Sequence, residues 1–189
     1  IRRMSRQMAE LFQVAKWFEQ ASGTLSEGLE RGIWIQRERA IELEGTRPAS
    51  ILRRVERTIK LHPQISQFLE NAHSKITFCQ VNFVSRVREV NELITKNELT
   101  ASREFFDSIE KSPLSDEQAR AVICCDNRVH LLAAAGSGKT SVIVAKAAYM
   151  IKKEIVQPNR ILILAFNRGA AAEIQERVTA RLANAGISH

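Results

Sequence analysis

Apolar side chains in the first part of the chain recur at steps of three and four. Met4, Met8, Leu11, Phe12, Ala15 and Phe18 share one face, which predicts an amphipathic helix broken at Ser22-Gly23-Thr24. A second helical patch, Ile33-Trp34-Ile35 with Ala40, Ile41 and Leu43, ends at Gly45-Thr46-Arg47-Pro48; a third, Ile51, Leu52, Val55 and Ile59, ends before His62-Pro63. From Pro63 the positions Ile65, Leu69, Ala72, Ile76, Cys79, Phe83, Val90 and Leu93 alternate at four and three, with Arg86 as the polar intruder. That heptad seam predicts one long helix in a coiled-coil-like arm. It serves either as scaffold or as a docking arm for nucleic acid or protein. Cys79 lies on the seam as inert core. Thr100 is placed to cap a short helix carrying Phe105, Phe106 and Ile109, which Lys111-Ser112-Pro113 ends.

The pattern then changes. Ser115-Asp116-Glu117-Gln118 has the spacing of a capping box and opens a helix. Residues 128–133 read as a buried strand, Val142 to Ile151 as a helix, and Ile161-Leu162-Ile163-Leu164-Ala165-Phe166 as a strand apolar on both faces. Ala170 to Leu182 reads as a helix with Glu173, Glu176 and Arg177 on its wet side. Strand, loop, helix, strand, helix predicts an α/β fold, the opening of a parallel three-layer sheet domain over 113–189, preceded by an all-α region over 1–112.

The loop between the first strand and its helix carries the chemistry. Ala135-Gly136-Ser137-Gly138-Lys139-Thr140-Ser141 combines glycines, whose backbone N–H groups can turn inward on a phosphate, with a helix N-terminus that favours anions. Lys139 can reach terminal phosphates and Thr140 can ligate Mg²⁺, so the loop asks for a nucleoside triphosphate. Ala133 stands where the strict pattern has its first glycine. Charge changes the picture modestly. Residues 111–189 hold 11 Lys and Arg against 6 Asp and Glu, whereas 1–110 hold 17 against 15, so the basic excess lies beside the loop and favours polyanions. Three cysteines without a C-x-x-C pair argue against a disulfide framework or a metal-ligand set, and no apolar run reaches membrane length. A reducing, cytoplasmic setting without membrane contact is expected. The chain starts at Ile1 and stops soon after the second predicted strand, which reads as a piece of a longer protein.

Three segments in order, Leu114 to Val122, Ala135 to Thr140, and Ile161 to Val178 with Ala165-Phe166-Asn167-Arg168-Gly169, resemble the Q motif, motif I and motif Ia of superfamily 1 DNA helicases of the UvrD/Rep family. Phe105-Phe106 to Val122 and the Leu-Ala-Phe-x-Arg form of motif Ia are most similar to the bacterial DNA helicase IV branch. The resemblance implies a RecA-like ATP-binding domain, with ATP and Mg²⁺ as cofactors. It implies that Gln118 contacts adenine, although a Gln in a capping box is by itself structural. Phe166, Asn167 and Arg168 would contact single-stranded DNA, Phe166 by stacking; its other reading is the core end of the strand. Gly169 replaces the lysine usual in the family at that point.

The whole protein would unwind duplex DNA with 3′–5′ polarity and serve DNA repair. This segment, which lacks the later Asp-Glu motif, would hold nucleotide without turning it over. Two other readings stand beside it. One is a helicase-like ATPase that recycles RNA polymerase, against which the turns at Glu44-Gly45-Thr46-Arg47 and His62-Pro63 offer no acidic tip. The other is a nucleotide-binding scaffold without motor activity.

Overall fold

A computed structural model describes residues 2–62, 71–134 and 136–184, and the chain divides into two compact units, Ile1–Ile94 and Thr95–His189. The first unit contains α1 (Arg2–Arg31), α2 (Arg37–Gly45), α3 (Leu52–Leu61), α4 (Ala72–Gln80) and the start of α5 (Phe83–Ala101). The buried face of α1 carries Leu11, Val14, Trp17, Ala21 and Leu25, a stripe at helical spacing. The expected break at Ser22-Gly23-Thr24 does not occur. Ser22 and Thr24 donate their hydroxyls to the carbonyls of Phe18 (2.6 Å) and Gln20 (2.8 Å), one turn back. Their side chains therefore stay within the helix instead of competing with it. Gly28 is the glycine this helix requires: a Cβ there would lie 2.7 Å from the Ile35 side chain.

The predicted heptad helix is also not continuous. Pro63, Ile65 and Leu69 fall outside the described residues, and beyond them the chain breaks between α4 and α5 at Val81-Asn82. The break satisfies its own backbone groups. Glu44 accepts the Phe83 N–H (2.7 Å) and pairs with Arg47 (2.8 Å), which in turn donates to the Cys79 carbonyl (3.1 Å). Asn82 caps α5 by accepting the Ser85 N–H at 3.0 Å. After the break the buried face moves to Val87 and Ile94, while Leu93, assigned to the seam, is exposed. Cys79 is fully buried, which pushes its thiol up to about 11.

Trp17 ties this unit together, its indole N–H donating to the Leu43 carbonyl at 2.8 Å and its ring meeting Phe78 and Phe83 at 6.1 and 5.8 Å. Asn91 does for the backbone of Ile35 what a neighbouring strand would do: it accepts the N–H at 2.9 Å and donates to the carbonyl at 2.8 Å.

The second unit contains the end of α5, then α6 (Arg103–Ser108), α7 (Asp116–Ile123), α8 (Lys139–Lys152), a 3₁₀ turn (Pro158–Arg160) and α9 (Arg168–Asn184). Helix α8 is central, with Val142, Val144, Ala145, Ala147, Ala148 and Tyr149 buried. Phe105 and Phe106 pack against the Tyr149 ring at 6.2 and 6.0 Å. The Tyr149 hydroxyl donates to Glu98 at 3.0 Å, and the same carboxylate accepts from Ser102 (2.9 Å) and pairs with Lys153 (2.9 Å). Burial first, and then the adjacent Glu98 carboxylate, raise the phenol pKa. Ser102, not Thr100, precedes the short helix α6, because α5 runs on to Ala101.

The α/β expectation is overturned here. No strand or sheet ladder occurs among the described residues, and neither predicted strand, 128–133 or 161–166, carries one. A strand exists through its ladder partners, and these two runs do not pair. Apolar character at every position predicted cover on both faces, yet the run 161–166 is covered on one. Ile161, Ile163 and Ala165 line a groove against Ile151, Ile174 and Val178, whereas Leu162 and Leu164 are each 82% exposed and Phe166 is fully exposed. The fold described is all-α.

Replacing Asn91 by Ala should leave the buried Ile35 N–H and carbonyl without their side-chain partner, at a cost of about 1–3 kcal/mol for each. Both tryptophans, Trp17 and Trp34, lie in the first unit. Urea unfolding followed by tryptophan fluorescence should therefore show the lowered midpoint.

Candidate nucleotide-binding site

The site begins at the N-terminus of α7. Ser115 accepts the Gln118 N–H (3.2 Å) and Gln118 Oε1 accepts the Ser115 N–H (2.9 Å), the reciprocal pair that the sequence spacing predicts. The Gln118 amide then reaches beyond its own helix and donates from Nε2 to the Ser137 carbonyl at 3.0 Å. A carboxamide has two donor hydrogens and two acceptor lone pairs. Gln118 has thus committed one of each and keeps one of each.

The loop it touches is shaped by its glycines. Gly136 and Gly138 have φ of +77° and +86°, the left-handed region, and Gly138 is the N-cap of α8. A Cβ at Gly138 would also lie 2.6 Å from Gln118 Nε2, so a side chain there would be strained by its backbone and would push the Gln118 amide aside. Ser137 closes the turn by donating its hydroxyl to the Ala134 carbonyl at 2.6 Å. Lys139 folds its ammonium onto the carbonyls of Ala133 (2.8 Å) and Ala134 (2.7 Å), which holds the cation at the loop. Thr140 and Ser141 follow in the first turn of α8, where backbone N–H groups have no intrahelical partner and the helix end favours anions. Ala135, also assigned to this site, lies outside the described residues.

One wall of the site was not legible. A cleft of about 820 Å³ is lined by Gln118, Gly136 to Gly138, Ser141 and, from α9, Arg177, within the size range of small-ligand pockets. Arg177 was expected on the wet face of its helix. Instead its Nη2 donates to Glu110 (3.0 Å) and Ser141 Oγ (3.1 Å), and the Glu110 side chain is only 6% exposed. The sequence signal was slight: a Glu173-Arg177 spacing that normally marks a solvated pair.

At the other end of the predicted motif Ia segment, Phe166 projects fully into solvent and Arg168 is exposed. Asn167 caps α9, its Oδ1 accepting the Ala170 N–H at 2.8 Å. The fully exposed ring does not fill the core end of a strand.

Thr140 is half-buried in the first turn of α8, where its hydroxyl would be the ligand that the loop pattern assigns to a metal, and no group of three His, Cys, Asp or Glu side chains that could hold an ion occurs among the described residues. A single hydroxyl fits Mg²⁺, which is commonly held by substrate phosphates, water and few protein oxygens.

Residues 114–189 match the family model for the UvrD/REP helicase N-terminal domain. Over that segment, which is less than half of the chain, the sequence is similar to the UvrD/REP helicase family. The matched segment contains Gln118, the whole phosphate loop and Phe166 to Arg168. Similar proteins include DNA helicase IV of Escherichia coli, 46% identical over 92 residues, which are 49% of this chain and 14% of that protein. A probable DNA helicase II homolog of Mycoplasma capricolum is 49% identical over 65 residues, 34% of this chain and 9% of its own. The DNA helicase II of Rickettsia typhi is 38% identical over 65 residues, 34% of this chain and 10% of its own. The matched segments thus span at most about a seventh of these relatives. No solved structure matches the chain.

Gln118→Ala should remove the acceptor of the Ser115 N–H and the bond to Ser137, while the backbone N–H of residue 118 keeps its Ser115 cap. Each lost hydrogen bond contributes about 0.5–1.5 kcal/mol, so thermal unfolding should show a stability loss of about 1–3 kcal/mol, with faster hydrogen exchange at the Ser115 amide.

Proposed function

We propose that this chain is part of an ATP-dependent 3′–5′ DNA helicase, in which the Gly136–Ser141 loop binds ATP with Mg²⁺. The observation that carries the reading is the bond from Gln118 to the Ser137 carbonyl. It joins the group suited to an adenine edge to the loop suited to phosphates, in one cleft and within a segment similar to the UvrD/REP family. The unused donor and acceptor of Gln118 would pair with adenine, Gln–adenine being a bidentate match in general. Backbone N–H groups at the start of α8 and the Lys139 ammonium would take the phosphates, and Thr140 would ligate Mg²⁺. Mg²⁺ supplies charge neutralisation at the phosphates.

Single-stranded DNA would run past Phe166. A ring in solvent, flanked by Arg168 and by the remaining amide donors of Asn167, offers a stacking platform with phosphate contacts beside it. Unwinding of duplex DNA and service in DNA repair belong to the whole protein under this reading.

Lys139→Ala should abolish binding of a labelled ATP analogue, because it removes the loop's own cation; titration of wild type and variant, with unfolding curves as control, decides. Gln118→Ala should also narrow the gap between ATP and GTP by about 1–3 kcal/mol, by analogy with bidentate base readout, in the same titrations.

In the full-length protein, Phe166→Ala should weaken single-stranded DNA binding by about 1–3 kcal/mol. Arg168→Ala should reduce the slope of affinity against salt by about one phosphate contact. Unchanged affinity and slope in both variants would remove Phe166 and Arg168 from the DNA track.

A further inference from the structure

We infer that the outward face of α3 is a second nucleic-acid contact, a foothold for the phosphate backbone of duplex DNA within the first unit. The site is separate from the nucleotide loop, and only the choice of DNA as its polyanion rests on the helicase reading. Four of the ten residues of α3, Arg53, Arg54, Arg57 and Lys60, are basic and one, Glu56, is acidic. All four basic residues are exposed, whereas Leu52, Val55 and Thr58 are buried. Arg53, Arg57 and Lys60 follow one another at steps of four and three, so they form a single row down the exposed face.

The charge of this row is not neutralised in place. Glu10 is shared between Arg54 (3.1 Å) and Arg6 (3.4 Å), and Glu56 pairs with Lys60 (3.0 Å). Arg53 and Arg57 form no ion pair among the described residues. Helix α4, which packs on α3, brings His73 and Lys75 and no acid. A row of like charges repels itself, and α3 is held in spite of it from behind: Gln7 of α1 donates to Thr58 at 3.4 Å and Arg54 donates to Glu10 at 3.2 Å. A polyanion laid along the row would relieve that repulsion.

Shape and chemistry select the partner. From 53 to 60 the helix rises about 10 Å, the axial length of about three phosphates on one strand of duplex DNA. The guanidinium forks of Arg53 and Arg57 suit phosphate oxygens, which accept two parallel N–H donors. No aromatic side chain occurs on α3, so it lacks the platform on which single-stranded bases stack. What the row offers is sequence-independent contact with a backbone of regular spacing, which is that of a duplex.

The test uses the whole chain and a short fluorescent DNA duplex of mixed sequence, titrated by anisotropy over a range of salt. Arg53→Gln combined with Arg57→Gln should weaken duplex binding roughly tenfold or more at low salt and reduce the slope of affinity against salt by about two phosphate contacts. The corresponding pair Arg53→Lys and Arg57→Lys should keep most of that slope. Both positions are exposed, so the urea midpoint read by tryptophan fluorescence should not move. A single strand of the same length should lose less than the duplex, and poly-L-glutamate of matched charge should compete poorly. Wild-type duplex affinity and slope in the Gln pair, or a loss confined to single strands, overturns the inference; equal competition by poly-L-glutamate overturns it in favour of an acidic protein. Lys139→Ala separates the two readings. If it abolishes ATP binding while the Gln pair binds duplex as wild type does, only the α3 foothold fails; if it leaves ATP binding intact while the Gln pair loses duplex, the nucleotide site fails and the foothold stands.

Discussion

Much of the second unit turns on one carboxamide. Gln118 closes the N-terminus of α7 from one side and grips the Ser137 carbonyl from the other. A helix cap is a local device, satisfied within four residues. A contact nineteen residues away in sequence is not, and a side chain that does both makes the geometry of the loop a consequence of the geometry of α7. Gly138 is glycine partly for this reason, since a Cβ there would meet the amide. On the far side of the loop, Tyr149 and its partners Glu98, Phe105 and Phe106 fix the other end of α8. The helix that starts at Lys139 is thereby positioned at both ends.

The first unit solves a different problem by similar means. After the long α1 its helices α2 to α4 are short and their connections irregular, so backbone groups at their ends need partners, and long polar side chains provide them. Glu44 and Arg47 serve the break between α4 and α5, and Asn91 serves Ile35. In each case one side chain answers for two backbone groups, or for a backbone group and a charge. Such groups are costly to leave unmet when buried, which is why polar residues such as Asn91 lie 6% exposed beside an apolar core.

What could be read from the sequence was local. The Ser115–Gln118 spacing, the glycine loop, the burial of Phe105, Phe106 and Ile109, and the apolar stripe of α1 all follow from interactions within a few residues. The failures involve partners far away in the chain. Gly23 looked like a helix breaker because the hydroxyls beside it were not known to bond backwards. The heptad seam ran straight through Asn82, because nothing local reveals that Glu44 and Arg47 will be waiting there. The sheet expectation rests on the order of apolar runs and helical patterns around the loop and on the family resemblance, and an apolar run specifies what must be covered without specifying by what. Arg177 was misassigned for the same reason: its role depends on Glu110, which is 67 residues earlier.

The exposed edge of the run 161–166 has a consequence for how the molecule behaves among its own copies. Leu162, Leu164 and Phe166 form an alternating exposed apolar comb along the run, the pattern that invites edge-to-edge association. The run is bracketed by Arg160 and Arg168, both exposed, and like charges at the two ends of such a segment act as gatekeepers against stacking of identical chains. That protection is electrostatic and is therefore screened by salt. The colloidal stability of the protein is thus expected to depend on ionic strength, and Arg168, proposed above as a phosphate contact, would also be one of the cations that keep neighbouring molecules apart.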